Sequence, residues 1–187
     1  MLRNVRSYRR YNSEKLITDR DITHILNFAR LAASAGNHQR IRYVTLRGKY
    51  AKEAFSFVSL GGYLPKEQKP DPTVSASAYI VMLAKSDEED PNLYIDLGIA
   101  AESIMLSASE NGIGSCIIRN FDRNFFSEIL NDDTFSPRLV IALGYPAEIS
   151  VAFDTKDGSD LKYFKDENGI NNVPKLPLSA VWLKDMQ

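Results

Sequence analysis

Apolar and polar positions alternate along the first forty residues in a way that predicts a helix. A set of apolar residues recurs at the spacing of one helix face and would form a single buried stripe: Ile22, Ile25, Leu26, Ala29 and Ala32. Thr18 and Asp21 have the spacing of a capping box ahead of this stripe, and Gly36 can supply a left-handed cap behind it. We therefore predict a helix that begins after Thr18 and ends near Ala35–Gly36.

Two later stretches have almost no polar side. The run Ala78–Ala84 is apolar throughout, which is typical of a strand buried on both faces at the centre of a sheet. Leu93–Glu110 follows a helical pattern that is apolar almost all round. Because a chain of this size cannot easily surround such a helix, we predict that it lies at a subunit interface.

Shorter patterns complete the predicted order of elements. We predict strands over Ile41–Leu46, Ser115–Ile118 and Arg138–Leu143, and short helices over Lys49–Val58 and from Asp122 to Leu130. Beyond Glu148 the pattern becomes polar and irregular, and we interpret this stretch as an extended arm that lies across a partner subunit. Helices and strands that alternate around a mixed central sheet define an α+β fold of the α/β sandwich type. The length of 187 residues fits one domain over residues 1–187.

Composition narrows the possible functions. The chain has 23 Lys and Arg against 24 Asp and Glu, so no global field would gather nucleic acid or a membrane surface. One cysteine and two histidines cannot form a thiolate or imidazole metal cage within one chain. No P-loop, Rossmann glycine fingerprint or nucleophile elbow is present. These absences predict a cytoplasmic, metal-free protein whose chemistry comes from scattered groups or a bound cofactor.

Two segments could hold such a cofactor. Arg6, Ser7 and Arg9 supply guanidinium forks and a hydroxyl, which suit a terminal phosphate, although a solvated basic terminus would have the same composition. The loop Ser34–Arg40 carries Asn37 and Gln39, whose amides could read the edge of a flavin ring. Taken alone, this loop could also simply end the preceding helix.

Taken together, these segments and three later ones resemble the nitroreductase family over nearly the whole chain. The matching segments are Arg6-Ser7-Tyr8-Arg9, Ala33–Arg40, Asp96–Glu102 with Asn111–Cys116, Val140–Pro146 and Val173–Lys175. The resemblance implies an intertwined homodimer that binds FMN between its subunits and takes electrons from NADH or NADPH. A nitroaromatic, a quinone or a similar oxidised small molecule would be reduced by a ping-pong mechanism.

The resemblance also implies roles for individual residues. Arg6, Ser7 and Arg9 would hold the phosphate and ribityl side of FMN, with Lys175 as a weaker contributor. The remaining cofactor residues would lie at the ring: Asn37 and Gln39 in contact with it, Ser34 nearby, and Ile113 and Gly114 at its edge through the backbone. His38 could face substrate, and no side chain is assigned as a catalytic acid.

Some positions depart from the family pattern. Ala33 and Arg40 stand where prolines are frequent, Ile41 where an aromatic residue is common, and Leu176 where a second basic residue is usual. The change at Leu176 affects the phosphate site, and Arg10 or Lys175 could compensate for it.

Other interpretations remain open at this stage. The loop Gly61–Pro72 is a candidate lid, in which Tyr63 either stacks on a ligand or anchors the loop to the core. A reductive dehalogenase-type relative, a flavin-consuming enzyme, or a flavin-binding carrier or regulatory protein without turnover would share the fold. The arginine-rich start could instead be a transit peptide or could bind single-stranded nucleic acid through Tyr8 and Tyr11. Cys116 is interpreted as a core thiol rather than a redox group.

Overall fold

The computed structural model describes residues 5–156, 158 and 160–186, and its main feature is a four-stranded sheet. Its strands are β1 (Arg42–Arg47), β2 (Ala78–Lys85), β3 (Gly114–Ile118) and β4 (Phe135–Gly144). They pair antiparallel in the order β1-β2-β4-β3. A parallel bridge between Ser7 and Ser115 adds the N-terminal segment at the β3 edge, so the sheet has both kinds of pairing.

Strand β2 confirms the prediction of a buried inner strand. Its side chains alternate between two apolar layers, with Ile80 and Met82 in one layer and Tyr79 and Val81 in the other. All four of these residues are buried. The sheet is covered on both faces, which is why the sequence shows an unbroken apolar run here instead of an alternation with polar residues.

Helices cover the two faces in pairs. Helices α1 (Asp19–Ala29) and α3 (Asn92–Glu110) pack in the layer that contains Ile80. Helices α2 (Lys49–Ala54) and α4 (Arg123–Leu130) contribute to the opposite layer. A turn of 3-10 helix over Phe55–Phe57 extends α2 along the predicted range.

Helix α1 begins as predicted and ends earlier. Thr18 and Asp21 form the capping box, with the Asp21 amide donating to Thr18 Oγ1 at 3.2 Å and the Thr18 amide donating to Asp21 Oδ2 at 3.0 Å. The predicted end near Ala35–Gly36 is wrong, because the helix stops at Ala29. Within the predicted range, the Ala35 amide donates to the Asp96 carboxylate at 2.8 Å, a tertiary contact in place of the helical bond to the carbonyl four residues earlier.

Helix α3 runs for 19 residues and confirms the predicted central helix. Leu93, Leu97 and Ile104 face the core, whereas Ile95 and Ile99 are exposed. Its outer side is therefore apolar as well. Among the described residues, no helix has both the length and the apolar character needed to cross a bilayer.

The stretch beyond Glu148, which the sequence predicts to be an extended arm, contains a second, smaller sheet of three short strands. Strands β5 (Ser150–Asp154), β6 (Phe164–Lys165) and β7 (Asn171–Lys175) pair in the order β5-β7-β6. The Asp166 side chain closes the β6–β7 turn by accepting from the amides of Asn168 at 3.0 Å and Ile170 at 2.9 Å. A short helix, α5 (Leu178–Val181), follows, and beyond it Trp182 and Leu183 are exposed.

Candidate functional site

The N-terminal arm, residues 5–11, lies beside strand β3. The Tyr8 amide donates to the Ser115 carbonyl at 2.9 Å, and the ring of Tyr11 is buried in the core. Val5 is buried as well. These contacts fix the backbone of the arm, which is the first requirement if its arginines are to act as a binding site rather than as a solvated terminus.

Arg6, Ser7 and Arg9 line one cavity of about 370 Å³ together with Lys175 from strand β7. The structure thus brings together the four residues for which the sequence predicted phosphate contacts. Glu102 of helix α3 also borders this cavity, which we call the arm cavity, so one carboxylate offsets part of the positive charge. Its volume falls within the range of about 300–1,000 Å³ that is usual for ligand sites.

Tyr163 is a residue of the arm cavity that sequence reasoning missed. The Arg9 guanidinium carbon lies 4.3 Å from the centroid of its ring, in cation–π geometry. Arg9 Nη1 also donates to the Ser7 carbonyl at 3.2 Å. The guanidinium is therefore held on two sides, and its remaining N–H groups have a restricted range of directions. Tyr163 precedes a strand of two residues in a polar stretch, which gives no sequence signal for a site.

Tyr63 reaches the arm cavity only through Tyr163. The two rings meet edge to face with centroids 5.2 Å apart, and the Tyr63 amide donates to the Tyr163 hydroxyl at 3.2 Å. Tyr63 is itself exposed. In place of the predicted anchor to the core, Tyr63 joins the loop Gly61–Pro72 to the C-terminal part of the chain, and its stacking on a ligand stays a prediction.

Arg10 does not contribute to the arm cavity. Its guanidinium donates to the carbonyls of Gln68 at 3.2 Å and Lys69 at 3.0 Å, which ties it to the candidate lid. The suggestion that Arg10 replaces the basic residue missing at Leu176 is therefore wrong, whereas Lys175 does border the cavity.

A buried carboxylate lies behind the arm. Glu148 Oε1 accepts hydrogen bonds from the amides of Arg9 at 2.6 Å and Arg10 at 3.2 Å. Its other oxygen pairs with Lys165 Nζ at 3.0 Å, and both side chains are largely buried, with 4% and 11% of their surface exposed. Sequence reasoning gave Glu148 no role, although it follows the segment Val140–Pro146, which resembles the family, by only two residues.

The second candidate segment, residues 34–39, forms a strained loop. Gly36, Asn37 and Gln39 have φ values of 57°, 54° and 47°, in the left-handed region that side chains other than glycine rarely adopt. Ser34 Oγ accepts from the Gln39 amide at 3.1 Å, and Gln39 Nε2 donates to Asn37 Oδ1 at 3.3 Å. The side-chain amides of Asn37 and Gln39 are thus held together on an exposed loop. The left-handed backbone of this loop costs conformational energy, as is typical of functional sites.

Arg40 anchors this loop to helix α3. Its Nη1 donates to the Asp96 carboxylate at 3.1 Å, and its Nε lies 3.6 Å from Glu88; Asp90 is a third carboxylate partner. Asp96 is 1% exposed and Arg40 10%. At a position where the family pattern often has a proline, Arg40 therefore anchors the loop through ion pairs. The sequence did not predict this role.

Ser34 and Gln39 line a second cavity, of about 250 Å³, together with Asp96 and Ala100 of helix α3. None of the arm residues borders it. Both cavities lie along α3, the second at residues 96–100 and the arm cavity at residues 102–105. Within one chain, the two predicted halves of the site are therefore in separate cavities.

Five predicted site residues line neither cavity: Asn37, His38, Tyr63, Ile113 and Gly114. His38 borders a third cavity, of about 320 Å³, beside Arg42 and Lys85. Ile113 and Gly114 are buried, and a Cβ at position 114 would come within 2.8 Å of both Tyr8 and Pro146. The structure thus explains this glycine by close packing against the chain's own residues, and the contact of Ile113 and Gly114 with a ring edge stays a prediction.

Cys116 is a core thiol, as predicted. The residue is buried in strand β3, and this burial raises the pKa of the Cys116 thiol. Because the thiolate is the reactive form, a raised pKa disfavours redox chemistry at this position.

Comparison with known proteins gives a consistent result for sequence and fold. A family profile described as "Nitroreductase family" matches residues 2–145. A protein from Archaeoglobus fulgidus, provisionally named NADH dehydrogenase/NAD(P)H nitroreductase, is 32% identical over 169 residues, which cover 84% of this chain and 90% of that protein.

Solved structures extend the comparison to the whole chain. A provisionally named nitroreductase from Desulfovibrio desulfuricans, solved in complex with FMN, aligns with a TM-score of 0.68 at 19% identity and covers 100% of this chain and 95% of its own. A nitroreductase family protein from Streptococcus pneumoniae aligns with a TM-score of 0.67 at 19% identity, over 100% of this chain and 98% of its own. At this level of identity the two likenesses concern the fold.

Proposed function

This chain belongs to the nitroreductase family, and we propose on that premise that it is an FMN-dependent oxidoreductase that uses NADH or NADPH to reduce a small oxidised molecule. The observation that carries this proposal is the arm cavity, where Arg6, Ser7, Arg9 and Lys175 converge from both ends of the described chain. A relative of this fold was solved with FMN, and the name of another includes NAD(P)H nitroreductase.

The donors of the arm cavity fit the phosphate of FMN. Arginine guanidinium groups can bind phosphate oxygens through two parallel hydrogen bonds, while lysine acts as a point charge and serine as a neutral donor. In this proposal Arg6 and Arg9 provide most of the binding energy, Ser7 orients one oxygen, and Lys175 adds charge from the opposite wall. Tyr163 limits the positions that the Arg9 guanidinium can adopt.

The chemistry itself would be the cofactor's. When bound, FMN accepts a hydride from a reduced nicotinamide and passes electrons to an oxidised acceptor such as a quinone or a nitroaromatic compound. The protein's residues bind, orient and exclude water, and none is proposed as a proton donor. The proposed order is ping-pong, in which the nicotinamide leaves before the acceptor enters the same site.

We further propose that the functional unit is a homodimer. The separate cavities support a homodimer, since the loop of Asn37 and Gln39 does not line the arm cavity of its own chain. A second copy packed against helix α3 would place its loop near the first copy's arm. Several apolar side chains are exposed on this helix and on the C-terminal part of the chain, as an interface requires: Tyr94, Ile95, Ile99, Val151, Phe153 and Trp182.

The proposed dimer predicts the effect of a charge on helix α3. Replacing Ile95, which is 60% exposed, by arginine is expected to weaken self-association about a hundredfold or more, because an unpaired charge would be buried in an apolar contact. Sedimentation over a range of protein concentrations measures this change. Tyr50→Arg is the control, since Tyr50 is exposed on α2, on the other face of the sheet. A dimer that tolerates Ile95→Arg and fails with Tyr50→Arg would contradict the proposed interface.

The function as a whole is tested by adding FMN to the purified protein, removing the excess and recording the visible spectrum. We expect retained flavin that bleaches when NADH or NADPH is added without oxygen and recovers when a quinone follows. Flavin that is retained but not bleached by either nicotinamide would identify a carrier instead of an oxidoreductase. Loss of all flavin on desalting would count against the cofactor assignment.

A further inference from the structure

Glu148 and Lys165 form a largely buried ion pair outside the arm cavity. The pair is 3.0 Å long, and its two residues border a neighbouring cavity together with Arg10. Neither residue lines the arm cavity itself. Pairing two charges away from water costs desolvation energy, so a pair of this kind contributes little net stability and its presence calls for another explanation.

The contacts of Glu148 point to that explanation. Its Oε1 accepts from the backbone amides of Arg9 and Arg10, residues that lie 139 and 138 positions away in the sequence. The carboxylate therefore fixes the backbone at the residue whose guanidinium borders the arm cavity. A charged acceptor makes stronger hydrogen bonds to amides than a neutral one.

Lys165 connects the same carboxylate to the other wall of the arm cavity. It lies two positions after Tyr163, whose ring packs on the Arg9 guanidinium at 4.3 Å. The Glu148 carboxylate thus binds both the backbone of Arg9 and, through Lys165, the segment that carries Tyr163. The pair therefore links the two walls of the arm cavity.

We propose that Glu148 and Lys165 are positioning residues that set the spacing of the arm against the Tyr163 wall and thereby set the preference of the site for a phosphorylated flavin over an unphosphorylated one. This inference rests on the proposed FMN function. In this inference Glu148 does not contact the ligand. It affects flavin binding only through the position of Arg9.

The test compares the affinities of FMN and riboflavin by quenching of flavin fluorescence in the full-length protein. Glu148→Ala is expected to weaken FMN binding about tenfold, the effect of one loosened hydrogen bond to a charged group, while riboflavin binding stays unchanged. The double variant Glu148→Gln/Lys165→Gln removes both charges without leaving one buried alone, so it should fold and show the same loss. Glu167→Ala is the matched control, because Glu167 is exposed in the adjacent turn.

A second readout needs no flavin. Hydrogen exchange of the Arg9 and Arg10 amides in the ligand-free protein should be faster in Glu148→Ala than in the wild type and the Glu167→Ala control. Faster exchange together with a selective loss of FMN affinity supports the proposal.

Three outcomes would overturn it: unchanged exchange, unchanged FMN affinity, or an equal loss of FMN and riboflavin affinity, which indicates a general structural defect. If the wild type itself binds FMN and riboflavin equally, the proposed phosphate site is wrong, and the flavin preference assigned to the pair is wrong with it. In that case faster exchange in Glu148→Ala would still show that the pair fixes the arm. The exchange measurement therefore distinguishes a failure of the proposed phosphate site from a failure of the positioning role.

Discussion

Replacing Arg40 by alanine is expected to lower the free energy of unfolding by about 3–5 kcal/mol, because it leaves the Asp96 carboxylate buried without its cation. Asp96 is 1% exposed and would keep only the hydrogen bond from the Ala35 amide as a described contact. Urea denaturation followed by circular dichroism measures the change. The same substitution should also disorder the loop of Asn37 and Gln39, since Arg40 connects that loop to helix α3.

The matched control for Arg40→Ala is Arg47→Ala. Arg47 pairs with Asp19 at 2.5 Å, but Asp19 is 87% exposed, and a surface pair of this kind contributes about 0–1 kcal/mol. The double variant Arg40→Met/Asp96→Leu removes both partners and is expected to recover part of the loss. A change below about 1 kcal/mol for Arg40→Ala would mean that water or Ala35 alone satisfies Asp96, and that the anchor is dispensable.

Replacing Arg6 by alanine is expected to weaken FMN binding about 10- to 100-fold and to leave riboflavin binding nearly unchanged, since a guanidinium–phosphate contact is charge-assisted and can be bidentate. Arg6 borders the arm cavity beside Ser7 and Arg9. Fluorescence titration with the two flavins measures both affinities, and a rise in salt concentration should reduce the difference between them.

Arg10→Ala provides the comparison within the same arm. The Arg10 guanidinium donates to the Gln68 and Lys69 carbonyls, so its removal should affect the lid and leave the preference for FMN intact. An equal loss of preference in both variants would show that the arm acts through its overall charge. Full retention of FMN affinity in Arg6→Ala would place the phosphate elsewhere.

The main sheet and its helices could be predicted from the sequence because each signal there is local. The apolar run of Ala78–Ala84 and the helical pattern of Leu93–Glu110 both correspond to elements of the structure. The end of helix α1 could not be predicted in this way. The loop that follows the helix is bound by Asp96, which accepts from the Ala35 amide from 61 residues away.

The second sheet escaped prediction for a related reason. Strand β6 has two residues, and β7 contains Pro174. Neither has a periodic pattern, and β7 becomes a strand by pairing with β5 in parallel. Such pairing is a property of residues that are far apart in the sequence, whereas pattern analysis detects near neighbours.

The candidate site could likewise be predicted from the sequence only in part. Arg6, Ser7, Arg9 and Lys175 were grouped through a family resemblance, and the structure places them at one cavity. Tyr163 and Glu148 were missed, because an isolated tyrosine or glutamate carries no signal. Asp96 could have been found, since it is a single carboxylate within an apolar helical stretch, where a buried charge requires a cation nearby.

The two walls of the arm cavity come from different parts of the chain, and this has a consequence for the release of a ligand. One wall belongs to the arm, which is bound to strand β3, and the other belongs to the second sheet, whose strand β5 is largely exposed. In the single chain, this sheet is expected to open at a lower free energy than the four-stranded core, and the proposed dimer would raise that free energy by covering Val151 and Phe153. Dissociation of a bound flavin would then need only this partial opening, so the rate at which the protein loses its cofactor would measure local rather than global stability.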